Sequence, residues 1–482
     1  MKYLLPRFRD LLFIVIFVAV LSRGSRLFGD GDVGRHITLG TVILEAKSVP
    51  PADLFSHTMY AKPSAPLAWL GQVAFAIAHR LLGLDGVVIL TAFVLALAYT
   101  LLYQTLLKQG TDGLLALLLT ALATFVSTTH FLARPHIFTM LCMALWTPLV
   151  LSARREGKNK HILLMAMIMW AWANLHAAYV AGLAVWGIVF VGSLWEWSQK
   201  QLPTQSIKIL GLGGLASFLV TLVNPGGVKM LVTSLGWLQN KFLVNHTEEY
   251  LSPNFHDANY LPFLAMLALL IFALSRGAKK LSTAEGLLAA AWAMWGLYST
   301  RNIPLFCIVV TPMMASALQP DFESLRFLKN LAVRLQNIEA QLRGFVWPAT
   351  AVLLSLVLAA NGAFGARNNW DSQLFPVQAV DWLETNPQSG NMFNYFIWGG
   401  YITYRAWPEV LVFIDGQTDI YGEALSREYV RVIDAQAGWE SVLTKYQVDW
   451  AIIPVGGPLP EALKESGWRV LYEDETAIIL RR

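Results

Sequence analysis

Cysteine is nearly missing: the 482 residues hold 2, Cys142 and Cys307, both inside apolar runs. A thiol in such a run is a small helix-packing residue, so neither a disulfide framework nor a cysteine-based metal site is expected. Charge is scarce too, at 14% of residues, and the balance of +4 is small for this length. The basic residues sit in short loops between apolar runs, which makes them orientation signals and argues against a nucleic-acid surface. Apolar residues, by contrast, make up 55% of the chain, and their runs approach the length of about 20 residues that spans a bilayer. One soluble core is excluded, and the pattern predicts a polytopic α-helical membrane protein.

The runs predict about 11 transmembrane helices, near 10–23, 87–107, 113–129, 136–152, 161–175, 178–196, 208–223, 259–275, 283–299, 303–318 and 345–361. Lys2, Arg7 and Arg9 precede the run Leu11 to Leu21 as they would in a signal peptide, but no small-residue cleavage site follows, so the run is expected to stay as the first span. Residues 65–83 are apolar yet carry Trp69, Gln72, His79 and Arg80 after Pro63 and Pro66. The most basic short loop, Ser152 to Lys160, belongs on the cytoplasmic side. With the N-terminus also inside, that requires 65–83 to lie along the membrane surface rather than cross it. The same register puts Lys108, Lys200 with Lys208, and Arg276 with Lys279 and Lys280 inside, and everything after residue 362 outside. The chain is thus expected to sit in the plasma (inner) membrane.

This register collects nearly all polar groups of interest on the outer side: Asp30, Asp32 and His36; Asp53 and Ser56; His130, Arg134 and His136; Asn174 and His176; Asn224; His246, Glu248, Glu249 and His256; Arg301 and Asn302. A charge at the centre of a span costs about 2.5–3.5 kcal/mol on insertion scales, whereas one at a helix end costs little. Each residue singly can be a helix cap or a headgroup contact; the set points to a site beneath the outer surface.

Residue types at that site suit transfer chemistry. An ionised carboxylate such as Asp30 or Asp32 can take a proton from a hydroxyl, and a guanidinium such as Arg134 or Arg301 can hold phosphate oxygens in a fork. His36, His136 and His176 are candidate hydrogen-bond donors or metal ligands, and each can equally be a plain helix-end histidine. Glu248 and Glu249 follow an amphipathic run, 227–244, and either bind an acceptor or face water. A divalent metal stays open, because the spacing is not a recognisable ligand motif.

After Asn361 the composition changes. Segments 377–384, 390–395, 410–414, 425–435, 439–446, 450–455, 460–466, 469–472 and 476–480 alternate in helical and strand character, which predicts a small α/β domain over 363–482 following a transmembrane domain over 1–362. Its densest motifs, Asn394 to Tyr401 and Phe413 to Tyr421, combine glycine with polar and aromatic residues. They are read either as tight turns or as a ligand surface where Trp398, Tyr401 or Tyr421 stacks on a sugar. This domain has no Gly-x-Gly-x-x-Gly and no P-loop, so nucleotide-sugar use there is not indicated.

In order along the chain, Asp30-x-Asp32-x-x-x-His36, Asp53 to Thr58, Trp69-Leu70-Gly71-Gln72, Ala133-Arg134-Pro135-His136, Ala173-Asn174-Leu175-His176, Asn224-Pro225-Gly226 and Arg301-Asn302-Ile303-Pro304 resemble the polyprenyl-phosphate-dependent GT-C glycosyltransferases. The resemblance extends to the RgtA/B/C/D-like and protein-mannosyltransferase families and covers most of the chain. It implies a large first external loop, 24–86, with interfacial helices. It also implies inverting transfer of a sugar from a polyprenyl-phosphate carrier to a glycan, lipid or protein acceptor outside the cytoplasm. On that reading Asp30 or Asp32 is the catalytic base, Arg134, Arg301 and His136 bind the donor phosphate, and His36, Asn174, His176, Glu248, Glu249 and Asn302 support the acceptor. Relatives tend to carry adjacent Asp-Glu where this chain has Asp30-Gly31-Asp32, so the choice of base stays open. The competing readings are a transporter or flippase of a lipid-linked saccharide, and a non-catalytic assembly protein.

Overall fold

The computed structural model of the protein describes residues 5–237, 241–277, 281–342, 344 and 346–482. Lys2, Lys279, Lys280 and the first residue of the run 345–361 lie outside these.

Among the described residues, the first part of the chain forms fifteen α-helices: α1 (Phe8–Leu21), α2 (Asp32–Ala46), α3 (Trp69–Lys108), α4 (Gly113–Ser127), α5 (His136–Glu156), α6 (Lys160–Leu175), α7 (Tyr179–Ser198), α8 (Thr204–Val220), α9 (Val228–Trp237), α10 (Lys241–His246), α11 (Leu261–Gly277), α12 (Thr283–Tyr298), α13 (Ile303–Ser324), α14 (Arg326–Gln341) and α15 (Val346–Ala360). Among the described residues, six helical stretches are long and apolar enough to cross a membrane: Trp69–Lys108, Gly113–His130, His136–Glu156, Tyr179–Ser198, Ala258–Gly277 and Thr300–Ser324. The remaining expected spans also form helices, but shorter ones; α1 has 14 residues, and α6 and α12 have 16 each.

Hydrogen bonds sort the helix ends into two faces. On one, Arg7 donates to Leu342 O (2.9 Å), Asp112 N–H to Gln319 Oε1 (2.9 Å), and Arg276 pairs with Asp321 (2.8 Å). There too Glu196 pairs with Arg154 and accepts from Thr283 N–H (2.6 Å). On the other, Arg23 donates to Thr128 O (3.2 Å), Ala133 N–H to Leu27 O (2.8 Å), Asn174 to Val223 O (3.2 Å), Thr300 N–H to Leu251 O (2.9 Å) and Arg367 to Ser22 O (2.6 Å). Helices α4 (Asp112 and Thr128 at its ends), α5 (Ala133 and Arg154) and α12 (Thr283 and Thr300) each run from one set of ends to the other.

Residues 65–83 do not. Trp69 Nε1 donates to Asn174 Oδ1 (2.8 Å), His79 meets the Tyr404 hydroxyl (2.8 Å), and Asn368 donates to Asp85 (2.6 Å), so both ends of this stretch touch the second face. Helix α3 breaks at Leu82 and Gly83, where Gly83 has φ +60° and ψ −149°. The stretch before the break lies along that face, packed on α2, and the stretch after it turns into the bundle.

Beyond α15 the chain builds a four-stranded sheet in the order β1-β2-β4-β3, from Asn391–Asn394, Val448–Pro454, Arg469–Glu473 and Ala477–Arg481 as β1 to β4. The β1–β2 pair is parallel and the other pairs antiparallel. Side chains alternate between two cores as a strand's period of about 2 requires. Ala451, Ile453, Ile478 and Leu480 pack with α18 (Thr418–Ile433), α19 (Trp439–Lys445) and α20 (Leu459–Glu465), whereas Trp450, Ile452, Ala477 and Ile479 pack with α16 (Val377–Thr385) and α17 (Gly399–Ala406). Segment 410–414, expected in this alternation, joins no strand of the sheet. Val412 instead exchanges hydrogen bonds with the first long loop, its N–H donating to Phe55 O (2.9 Å) while His57 N–H donates to Val412 O (3.0 Å).

The sheet's helices dock on the N-terminus of α2 through glycine. Gly31 adopts φ +75°, and a Cβ there would lie 2.1 Å from the Ile397 carbonyl oxygen. Gly31→Ala combines left-handed strain with that clash and is expected to cost about 1–3 kcal/mol. A thermal-unfolding comparison in detergent reads this as a lowered midpoint, and an unchanged midpoint would refute the docking role.

Candidate functional site

A cavity of about 1470 Å³ opens on the second face, between the helical bundle and the C-terminal sheet. Asp30 lies in the tight turn before α2 and Asp32 at that helix's first position; Asp30 Oδ1 accepts from Asp32 N–H (3.2 Å), which fixes the two carboxylates relative to each other. Arg134 comes from the loop before α5, tied to the same region by the Ala133–Leu27 bond. It bridges the pair, with Nη1 2.7 Å from Asp30 Oδ2 and Nη2 2.8 Å from Asp32 Oδ2.

Glu249 extends this chain of charge. Its turn, Glu248–Tyr250, is held by Ser299 and Thr300, whose hydroxyls each donate to Glu249 O (3.0 Å). Its carboxylate then sits 3.0 Å from Arg301, 3.6 Å from Arg134 and 3.8 Å from the His130 ring. Arg301 also hydrogen-bonds the Tyr250 hydroxyl and lies over that ring at 5.1 Å. Four segments far apart in sequence thus deliver Asp32, Arg134, Glu249 and Arg301 as an alternating row of charge along the cavity.

The two carboxylates of that row differ in proton affinity. Asp32 is pushed up to about 7, first by removal from bulk water; Arg134 opposes this, while the charges of Asp30, Asp415 and Glu249 add to it. Glu249 feels the same burial, but Arg301 and then Arg134 outweigh it and hold the group down to about 2. Carboxylates separated in this way can take different roles, one staying charged and the other exchanging a proton near neutrality.

The histidines are arranged as neutral rings. His36 Nδ1 faces Gln72 Nε2 (3.2 Å), and burial, then Arg134 and Arg35, hold its pKa well below the usual value. His176 Nδ1 accepts from Ala178 N–H (3.3 Å) and lies 2.9 Å from the Thr139 hydroxyl, which leaves Nε2 to carry the ring proton. His136 departs from the expected phosphate-binding role: its Nε2 is 2.9 Å from the His130 carbonyl oxygen, so the ring's one N–H in the neutral form is committed to backbone.

Asn174 departs as well. It is buried, donates to Trp170 O and Val223 O, accepts from Trp69, and does not line the cavity; it clasps three chain segments together. Asn302 and Glu248 do line it. Among the described residues, no group of three or more His, Cys, Asp or Glu side chains is arranged to hold a metal ion, and the space between Asp30 and Asp32 is taken by the Arg134 guanidinium.

The C-terminal part contributes more than the sequence suggested. Trp398, Tyr401 and Tyr421 are buried in its cores and are not free to stack on a sugar; Tyr395 and Phe396 line the cavity instead. Gly416 abuts the Asp32 carboxylate so closely that a Cβ there would fall 1.8 Å from Oδ1. Its neighbour Asp415 is buried in an ion pair with Arg35 (2.8 Å), and the motif 413–421 is therefore part of the site wall.

No protein-family profile and no curated protein sequence matches the chain. Solved structures do, in shape. The oligosaccharyltransferase AglB from Archaeoglobus fulgidus, in complex with an inhibitory peptide and a dolichol-phosphate, superposes at a TM-score of 0.57 with 11% identity, over 98% of this chain and 74% of that one. An Archaeoglobus fulgidus oligosaccharyltransferase complex with Zn and sulfate gives 0.54 with 14% identity, over 98% and 73% of the two chains. ArnT from Cupriavidus metallidurans in its apo state gives 0.53 with 13% identity, over 98% and 97%. The chain shares the fold of these proteins, a GT-C-like helical bundle with a small C-terminal sheet.

Proposed function

We propose that the protein is a membrane glycosyltransferase that moves a sugar from a polyprenyl-phosphate carrier to an acceptor hydroxyl, with inversion at the anomeric carbon. The observation that carries this reading is Asp32, a carboxylate with its proton affinity raised to about 7, set against Arg134 in a large cavity of a GT-C fold. The acceptor is a glycan, a lipid or a protein.

In the reaction, the acceptor oxygen attacks the anomeric carbon from the side opposite the carrier as the bond to the carrier phosphate oxygen breaks. The electron pair of that bond stays on the leaving phosphate, and the acceptor proton passes to ionised Asp32. Lipid phosphate is stable as an anion, so it needs no general acid, only cations near the charge that develops. Arg134 and Arg301 supply these; Glu249, held ionised between them, fixes their orientation. Asp30 shares Arg134 with Asp32 and steers it. His36 and His176, as neutral rings, offer Nε2–H groups to sugar or acceptor hydroxyls, and Glu248 and Asn302 line the acceptor's approach.

The proposed orientation puts the site outside the cytoplasm and the N-terminus inside, in the plasma (inner) membrane. Arg154, Arg155, Lys158 and Lys160 lie at the helix ends on the face opposite the cavity, as the positive-inside bias requires.

A base must be unprotonated to accept the acceptor proton, so the rate is expected to rise with pH through about 7. Following lipid-phosphate release by protein in lipid across the neutral range checks this. An acid limb near the ordinary Asp value of about 4 would remove Asp32 from the role. Anomeric NMR of the product tests the stereochemistry, and retained configuration would contradict direct displacement.

A further inference from the structure

The Asp32 carboxylate faces a protein wall from the far end of the chain. Arg35 lies one helical turn beyond Asp32 on α2 and is buried. Its Nε donates to Asp415 Oδ2 (2.8 Å), a Nη lies 3.8 Å from Asp53 Oδ1, and its guanidinium rests over the Phe55 ring at 5.1 Å. Burial works against the charge on Arg35, but Asp415 and then Asp53 outweigh it and keep the group protonated. Asp415 Oδ1 in turn accepts from Gln417 N–H (2.9 Å), which shapes the turn that presents Gly416 to Asp32.

The first long loop reinforces this turn from the other side. Thr58 donates to Phe413 O (2.6 Å), Gln417 Nε2 to Ser64 Oγ (2.9 Å) and Lys62 to Ile420 O (2.7 Å). Asp53 is held by Ser56 through its N–H and hydroxyl, at 3.0 and 2.7 Å. A single buried cation therefore ties α2, the first loop and the C-terminal turn together beside the acid pair.

We propose that Arg35 and Asp415 are positioning residues for Asp32: their ion pair seats Gly416 against its carboxylate, closing one side to water and fixing the oxygen that accepts the proton. The inference rests on the assignment of Asp32 as base. Neither Arg35 nor Asp415 touches the reacting atoms in this arrangement; they act through Gly416 and through the charge of Asp415 near Asp32. The charged groups around Asp32 are Asp30 on its own turn, Arg134 before α5, Glu249 and Arg301 from the two outer turns, and Asp415 with Arg35 behind Gly416.

Asp415→Asn removes a negative charge near Asp32 and leaves Arg35 less neutralised, and both changes favour ionised Asp32. Its midpoint is expected to fall from about 7 toward the ordinary Asp value. Infrared titration of the protonated-carboxyl band, assigned by its loss in Asp32→Asn, reads this without turnover. In the same variant the turnover rate should fall about 10–100-fold with donor KM little changed, as expected for a misplaced catalytic group. Arg35→Lys, which keeps the charge, should retain more activity than Arg35→Met. Gly416→Ala should reproduce the rate loss by pushing directly on Asp32.

An Asp32 midpoint unmoved in Asp415→Asn would overturn the proposal, as would full turnover in Gly416→Ala. If Asp415→Asn does not fold, Gly416→Ala and Arg35→Lys give the same decision. A wild-type midpoint near neutrality that moves in Asp415→Asn, with no transfer from any donor, would keep the clasp and reject the transferase reading.

Discussion

Asp32→Asn is expected to slow lipid-phosphate release by about 10²–10⁴-fold, the usual contribution of a positioned general base. An amide keeps the volume and can still accept from neighbouring donors, so the fold and donor affinity should change little. Arg134 would lose one carboxylate but keep Asp30 at 2.7 Å and Glu249 at 3.6 Å, so the row of charge survives the substitution. The remaining slow rate should no longer show the acid limb near neutrality. Asp30→Asn should be milder, because Asp30 acts on the base through a shared guanidinium and a backbone bond. Single-turnover measurement of both variants checks the order; equal loss in each would mean that the pair works as one unit.

Arg134→Gln is expected to carry the second-largest effect. It removes the cation that bridges Asp30 and Asp32, a half-buried cluster, so the loss in stability should fall below the roughly 3–5 kcal/mol of a fully buried pair. Without its opposing charge, burial and the other carboxylates should raise the Asp32 midpoint further, so the acid limb moves to higher pH. Donor KM should rise as well, through loss of a phosphate ligand. Arg134→Lys should recover little, since one ammonium cannot hold two carboxylate oxygens in the fork geometry. A kcat and KM close to wild type in either variant would contradict the role given to Arg134.

How much of this was legible in the sequence follows from the range of each interaction. The helical spans were, because hydrophobicity is a property of contiguous residues. The stretch 65–83 stood out for its polar residues, and the contacts of Trp69 with Asn174 and of His79 with Tyr404 place it beside α2 and the C-terminal helices. Asp30, Asp32, Arg134 and Arg301 stood out only as members of a set: a charge at one helix end costs little, but many polar groups gathered on one side point to a site.

What the sequence could not express was pairing. Glu249 reads as a surface acid until it is found between Arg134 and Arg301, and Asn174 reads as a site residue until its hydrogen bonds are seen to clasp Trp69, Trp170 and Val223. The Arg35–Asp415 contact links positions 380 residues apart, and no local pattern announces it. Aromatic residues near glycine suggested a sugar platform, but Trp398, Tyr401 and Tyr421 are spent on packing the small sheet domain. Composition ranks such residues by type, whereas burial decides which of them meet a ligand.

The central claim is bond breaking at a lipid phosphate rather than passage of an intact lipid-linked saccharide. The most direct test supplies wild-type protein in lipid vesicles with polyprenyl-phosphate sugars carrying one label in the sugar and another in the phosphate, together with hydroxyl acceptors. The account predicts that the labels separate: the sugar leaves the lipid for an acceptor or for water, the phosphate stays with the lipid, and Asp32→Asn slows the separation by about 10²–10⁴-fold. Labels that remain joined for every donor while the lipid-linked sugar moves between leaflets would contradict it.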